Sequence, residues 1–197
     1  MTPEAVRAFQ KAHLNHLGRP LKDDGELGPE TRWALDADTL SPHRRGIVRI
    51  AQAFIGLEEH PPGSNSDPAG TIRDWLTHVG AHPGVPWCAA FASHCLGTVR
   101  IGGAQALGRH FPATLSPYPG DILWFPTDAI HGHCGIVTGL TLSEVMSIEG
   151  NCLNAVRCVR RQRDKVRFAR VLDETVGVCP GVVPSVPWAT SGAGGTR

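Results

Sequence analysis

Along the chain, apolar positions repeat first with a helical period and later with a period of two. Val6, Phe9, Leu14 and Leu17 approximate one helical face near the N-terminus. The turn KDDGELG follows. Gly28-Pro29-Glu30 then opens a second helix, with Pro at the first helical position and an acid in the first turn. Trp33, Ala34 and Leu35 supply its apolar side. The polar stretch from Asp36 to Arg45, interrupted by Ser41-Pro42, reads as a boundary. Further helices are expected over 45–56 and 72–79, separated by the loop HPPGSNSDPAG. In GVPWCAAFASHCL, Pro86 suits a first helical position, and Phe91, Ala92, Cys95 and Leu96 share a face with Cys88. A stretch broken by Gly and Pro runs on to Pro119. From Gly120 the pattern changes to short strands: DILWF, CGIVTGL, EVMSIEG, AVRCVRR and VRFARVL. Helices first and an antiparallel run of strands second predict an α+β fold. The final ATSGAGGTR is predicted to be flexible.

Composition narrows the function classes. Hydrophobic residues make up 41% of the 197 and charged residues 19%, which suits a packed core. The formal net charge of +1 gives no electrostatic footprint for nucleic acid or an anionic membrane. No stretch is apolar for long enough to cross a bilayer. MTPEAVRAFQKAHL lacks the apolar core and cleavage site of a signal peptide, so synthesis in the cytoplasm is expected. Six cysteines occur, none in a CxxC pair. Without a signal peptide a disulfide framework is not the default, although Cys152 and Cys158 are close enough in sequence to bridge a hairpin.

One of these cysteines is placed for chemistry. If a helix starts near Pro86, Cys88 lies in its first turn. There the unpaired N–H groups and the helix dipole favour thiolate. Cys95, deeper in the same helix, reads as a small core residue. A nucleophilic cysteine needs a base. In HGHCGIVTGL, His133, Gly135, Val137 and Gly139 share one face of a strand, and Val145, Ser147, Glu149 and Asn151 share one face of the next. If Gly139 pairs with Ser143 across a three-residue loop, His133 faces Glu149. With the loop one residue later it faces Asn151. Either register sets a polar orienting group beside the imidazole. A zinc site from His131, His133, Cys134 and Cys88 is disfavoured, because Cys134 points to the opposite strand face. Asp23, Asp24 and Asp67 lack calcium-loop spacing, and phosphate-loop and dinucleotide fingerprints are missing. No metal and no cofactor are expected.

The set WCAAFASHCL, PGDILWF, GHCGIVTGL and IEGN resembles the CHAP domain, the cysteine–histidine amidohydrolase/peptidase branch of the NlpC/P60 and papain-like superfamily. The likeness covers roughly residues 47–180. GLEEHPPGSNSDPAGTIRDWL is similar to the lead-in of a bacterial and phage subgroup. Residues 3–37, with AVRAFQKAH and DGELGPETRWAL, resemble a type 1 peptidoglycan-binding domain, shorter than a full one. The expected organisation is a wall-binding-like helical unit at 1–40, a linker at 41–46, a catalytic domain of papain-like fold at 47–186 and a tail at 187–197.

The resemblance implies a monomeric, endolysin-like peptidoglycan hydrolase that reaches the wall after release or specialised export. It would be an N-acetylmuramoyl-L-alanine amidase or a peptide endopeptidase. In that reading Cys88 attacks a wall amide, His133 is the base, and Glu149 orients it with Asn151 in support. Many CHAP enzymes carry Gln before the cysteine; here Trp87 stands there, and it is assigned with Trp124 to the substrate groove. The competing readings are a non-catalytic wall-binding module and a superfamily acyltransferase. Permuted acyltransferases place His before Cys, whereas Cys88 precedes His133.

Overall fold

The computed structural model describes residues 1–172, and within them the chain is α+β. Six helices occur among the described residues: α1 (Pro3–Ala12), α2 (Pro29–Asp38), α3 (Pro42–Ala53), α4 (Thr71–His78), α5 (Cys88–Leu96) and α6 (Ala104–His110). Five strands follow: β1 (Ile122–Pro126), β2 (Gly132–Leu140), β3 (Glu144–Glu149), β4 (Arg157–Gln162) and β5 (Arg167–Ala169). They form one antiparallel sheet in the order β4-β3-β2-β1-β5. The end of the expected catalytic domain at 186 and the expected tail at 187–197 lie outside the described residues.

The Ser41-Pro42 pair, read above as a break, is instead a helix start. Ser41 is the N-cap of α3, its hydroxyl accepting from the Arg44 N–H at 3.3 Å, and Pro42 takes the first helical position. Residues 42–46, expected to be linker, are therefore the first turns of α3. Arg44 is mostly buried there. Its guanidinium meets Asp121, which has no exposed surface, at 2.9 Å, and it also donates to the carbonyls of Pro119 and Val171. Arg170 approaches the other Asp121 oxygen at 3.0 Å. The Asp121 carboxylate also accepts from the N–H groups of Tyr118 and Val171. The Pro-Gly-Asp turn is thus a clamp that joins α3, the entry to β1 and the exit from β5.

α6 was not expected. Its seven residues include a glycine, which hides the helical pattern. Gly108 is required because the Trp124 indole lies flat against it, where a Cβ would stand. Helices α3, α5 and α6 cover one sheet face, with α4 packed on α5, burying Ile47, Ile72, Phe91, Leu96, Leu107, Ile122, Ile136 and Ile148. Leu123, Val137, Val145 and Phe168 form a smaller cluster on the other face.

Residues 1–40 dock against this body. Gln10, almost fully buried, organises them: its amide donates to Asp24, the Glu26 carbonyl and Thr31, and accepts from the Gly25 N–H at 2.8 Å. Trp33 of α2 donates its indole N–H to the Thr138 carbonyl at 2.5 Å, and Gln52 of α3 donates to the Asn15 carbonyl.

Candidate active site

Cys88 is the first residue of α5. Pro86, expected to begin that helix, precedes it by two residues. Trp87 is the N-cap and no side chain caps the helix. Cys88 as a whole is 6% exposed, and its thiol lies 4.0 Å from the Gly132 carbonyl at the start of β2.

The next residue, His133, pairs with Phe125 across β1–β2, their rings 5.6 Å apart. The β2–β3 loop spans residues 141–143, with Leu140 opposite Val145. A bulge at Thr138 then shifts the register, so that Val137 faces Ser147 and Ile136 faces Ile148. Continued to the site, this register sets Gly135 opposite Glu149 and His133 opposite Asn151. It is the second of the two expected alternatives, yet the hydrogen bond goes to Glu149. His133 Nε2 is 2.8 Å from Glu149 Oε2. The glycine makes this possible: a Cβ on Gly135 would lie 2.6 Å from Glu149 Cγ. The carboxylate therefore crosses Gly135 diagonally to the imidazole.

Asn151 turns away from His133. It has φ 54°, in the left-handed region that Asn tolerates. Its side-chain amide lies 3.2 Å from the Trp87 backbone N–H, 3.1 Å from Glu59 and 3.2 Å from the Asn65 amide. It braces the turn before the nucleophile and leaves the base to Glu149.

Glu149 has no exposed surface and all its lone pairs are engaged. Oε1 accepts from Ser147 Oγ and Arg161 Nε, both at 2.7 Å; Oε2 accepts from Arg161 Nη2 at 2.6 Å as well as facing His133. Arg161, on β4, also stacks 4.7 Å over Phe125. Sequence reading missed it. Its signal is an arginine on the strand next to the acid, and alternation along a short exposed strand does not single it out among the neighbouring arginines of RCVRRQ.

The charges reinforce one another. Burial alone would push the Glu149 carboxyl up, but Arg161, His133 and Ser147 hold it at about 2. Burial alone would lower His133, yet its bonds to Cys88 and Glu149 raise it to about 9. Cys88 is held well below the ordinary thiol range, first by a hydrogen bond from the Cys134 thiol and then, against the burial cost, by His133. Since Nε2 is taken by Glu149, Nδ1 is the ring nitrogen left for the sulfur. Cys88 and His133 thus each favour the charged form of the other, with a carboxylate behind the imidazole.

No match was found among models of known protein families, curated proteins or solved structures. The chemistry of the site rests on the chain's own geometry.

The remaining expected residues divide. Cys134 does point away from His133, but that face carries α5, so its thiol meets Cys88. Cys95 is a core residue whose thiol burial pushes up. Cys152 and Cys158 are free thiols. Trp87 does not line a groove. It is fully buried, 5.7 Å from Trp75, and donates its indole N–H to Glu59 at 2.8 Å. Trp124 keeps an edge in a cleft of about 670 Å³, with the guanidinium groups of Arg109 and Arg167 over its ring at 5.6 and 5.1 Å. His131 bonds Asp128 at 2.7 Å in an exposed turn. Among the described residues no group of three or more His, Cys, Asp or Glu is arranged to hold a metal.

Proposed function

We propose that the chain is a cysteine hydrolase of papain-like architecture that cleaves a peptide or N-acetylmuramoyl–L-alanine amide of peptidoglycan. The observation that carries the reading is the His133–Glu149 bond at 2.8 Å beside a cysteine at an uncapped helix start. The substrate class comes from the CHAP resemblance. The cleft at Trp124, bordered by Arg109, Arg163, Asp164 and Arg167, is lined by neither Cys88 nor His133 and lends the reading no support.

In this mechanism the Cys88 thiolate attacks the amide carbon. A C–S bond forms, and the carbonyl π electrons move to oxygen, which the Cys88 backbone N–H receives. Collapse breaks the C–N bond as imidazolium His133 gives its proton to the leaving amine. Neutral His133 then takes a proton from water, whose oxygen attacks the thioester. The acid leaves and the thiolate returns. Glu149 holds the ring and stabilises its charge throughout, and Arg161 keeps Glu149 ionised.

Purified sacculi digested with the protein and analysed by mass spectrometry test the reading and identify the bond. New amine and carboxyl ends should appear with wild-type protein. Cys88→Ala, a small-for-small change, should fold normally and release nothing. Equal release by that variant would refute the mechanism.

A further inference from the structure

Glu59 is 3% exposed, and among the described residues no cation pairs with it. A buried carboxylate without a counter-charge is costly unless donors surround it. Here they do. Oε1 accepts from the Trp87 indole N–H at 2.8 Å, Oε2 accepts from the Asn65 backbone N–H at 3.0 Å, and the Asn151 side-chain amide, with its nitrogen turned toward Oε1, adds a third donor at 3.1 Å.

These partners converge on the residue before the nucleophile. Trp87 is held at two points: its indole by Glu59, and its backbone N–H by Asn151, which Glu59 holds in turn. The Asn65 side-chain amide bridges the same segment from outside, 3.0 Å from the Gly84 carbonyl and 3.2 Å from the Asn151 amide. Both asparagines adopt positive φ, 51° for Asn65 and 54° for Asn151. Gly150 lets the end of β3 close on Trp87 and Phe91, where a Cβ would come within 2.8 Å of the indole. The surrounding backbone is shaped around this carboxylate, and none of these side chains is hydrogen-bonded to His133 or Glu149.

We propose that Glu59 is a positioning residue for the nucleophile. Through Trp87 and Asn151 it fixes the Trp87–Cys88 peptide, and so aims the Cys88 backbone N–H at the oxygen that becomes anionic during attack. This rests on the hydrolase reading above.

Two reactions of the same sulfur separate this role from a general contribution to folding. Alkylation by iodoacetamide needs the thiolate, which His133 maintains, and develops no oxyanion. Amide hydrolysis needs both. Glu59→Gln cannot accept at both oxygens. It should lower kcat on solubilised wall fragments by about 10- to 100-fold. KM, the alkylation rate and the pH dependence of alkylation should stay near wild type. Should Glu59→Gln be insoluble, Trp87→Phe removes the indole donor while keeping a ring, and it carries the same expectation. Parallel loss of alkylation and hydrolysis, or loss of neither, overturns the proposal while an active wild type leaves the hydrolase reading standing. A wild-type protein that alkylates readily but cleaves no wall amide overturns both.

Discussion

At the residue scale the decisive contrast is between Glu149 and Asn151. The sequence left them tied, because strand alternation puts both on the face of His133 and a one-residue change of register exchanges them. What separates them is backbone conformation: Asn151 leaves the strand with positive φ, and Gly135 clears a diagonal path for Glu149. Glu149→Gln keeps the shape but removes the charge. His133 then loses part of what raises it to about 9, so the alkaline limb of the pH–rate profile should move to lower pH. The thiolate loses some imidazolium support, so the acid limb should move to higher pH. The bell should narrow from both sides, and the maximal rate should fall by about 10²-fold or more. Asn151→Ala should slow hydrolysis while leaving both limbs in place. A shifted limb in Asn151→Ala with none in Glu149→Gln would reverse the two roles. Arg161 and Glu59 were not legible because their partners come from other strands and loops, and a single sequence carries no sign of such pairings.

Elements with strong periodicity were read well. The five strands fall where period-two runs place them, and the helix expected near Pro86 opens at Cys88, after Trp87 takes a non-helical N-cap conformation. α6 was missed because the glycine that Trp124 needs also erases the helical signature. The bulge at Thr138 was missed because an extra residue in a strand leaves the composition unchanged. The register it sets makes Gly135 the most sensitive position on β2. Gly135→Ala would place a methyl 2.6 Å from Glu149 Cγ and 2.8 Å from the Ile148 carbonyl. The anchored Glu149 side chain and the β3 backbone must both shift, so activity should fall by about 10-fold or more and the melting temperature should drop with it. Initial rates and thermal melts on the same sample check this. A melt that collapses while the surviving fraction keeps full specific activity would show that the backbone alone gave way.

On the scale of the whole molecule, the Asp121 clamp holds segments far apart in sequence. Asp121→Ala strands Arg44 beside buried carbonyls and frees the exit of β5 from α3. Breaking a buried pair of this kind costs about 3–5 kcal/mol, a fall of roughly 10 °C in a chain of this size. Differential scanning calorimetry measures it, and a change of only a degree or two would mean that the arginines find new partners. The Gly-Asp of PGDILWF, legible as part of a motif, serves this joint and touches neither Cys88 nor His133. The N-terminal unit is joined differently. Its Trp33 indole is hydrogen-bonded to the carbonyl of the Thr138 bulge and packs against Gly139, in the strand that carries His133 six residues earlier. Residues 1–40 are therefore not a bead threaded on a string. A replacement segment spliced in at residue 40 inherits an unpaired carbonyl and a bare glycine on the central sheet. To be exchangeable, it must arrive with an indole of its own at that point.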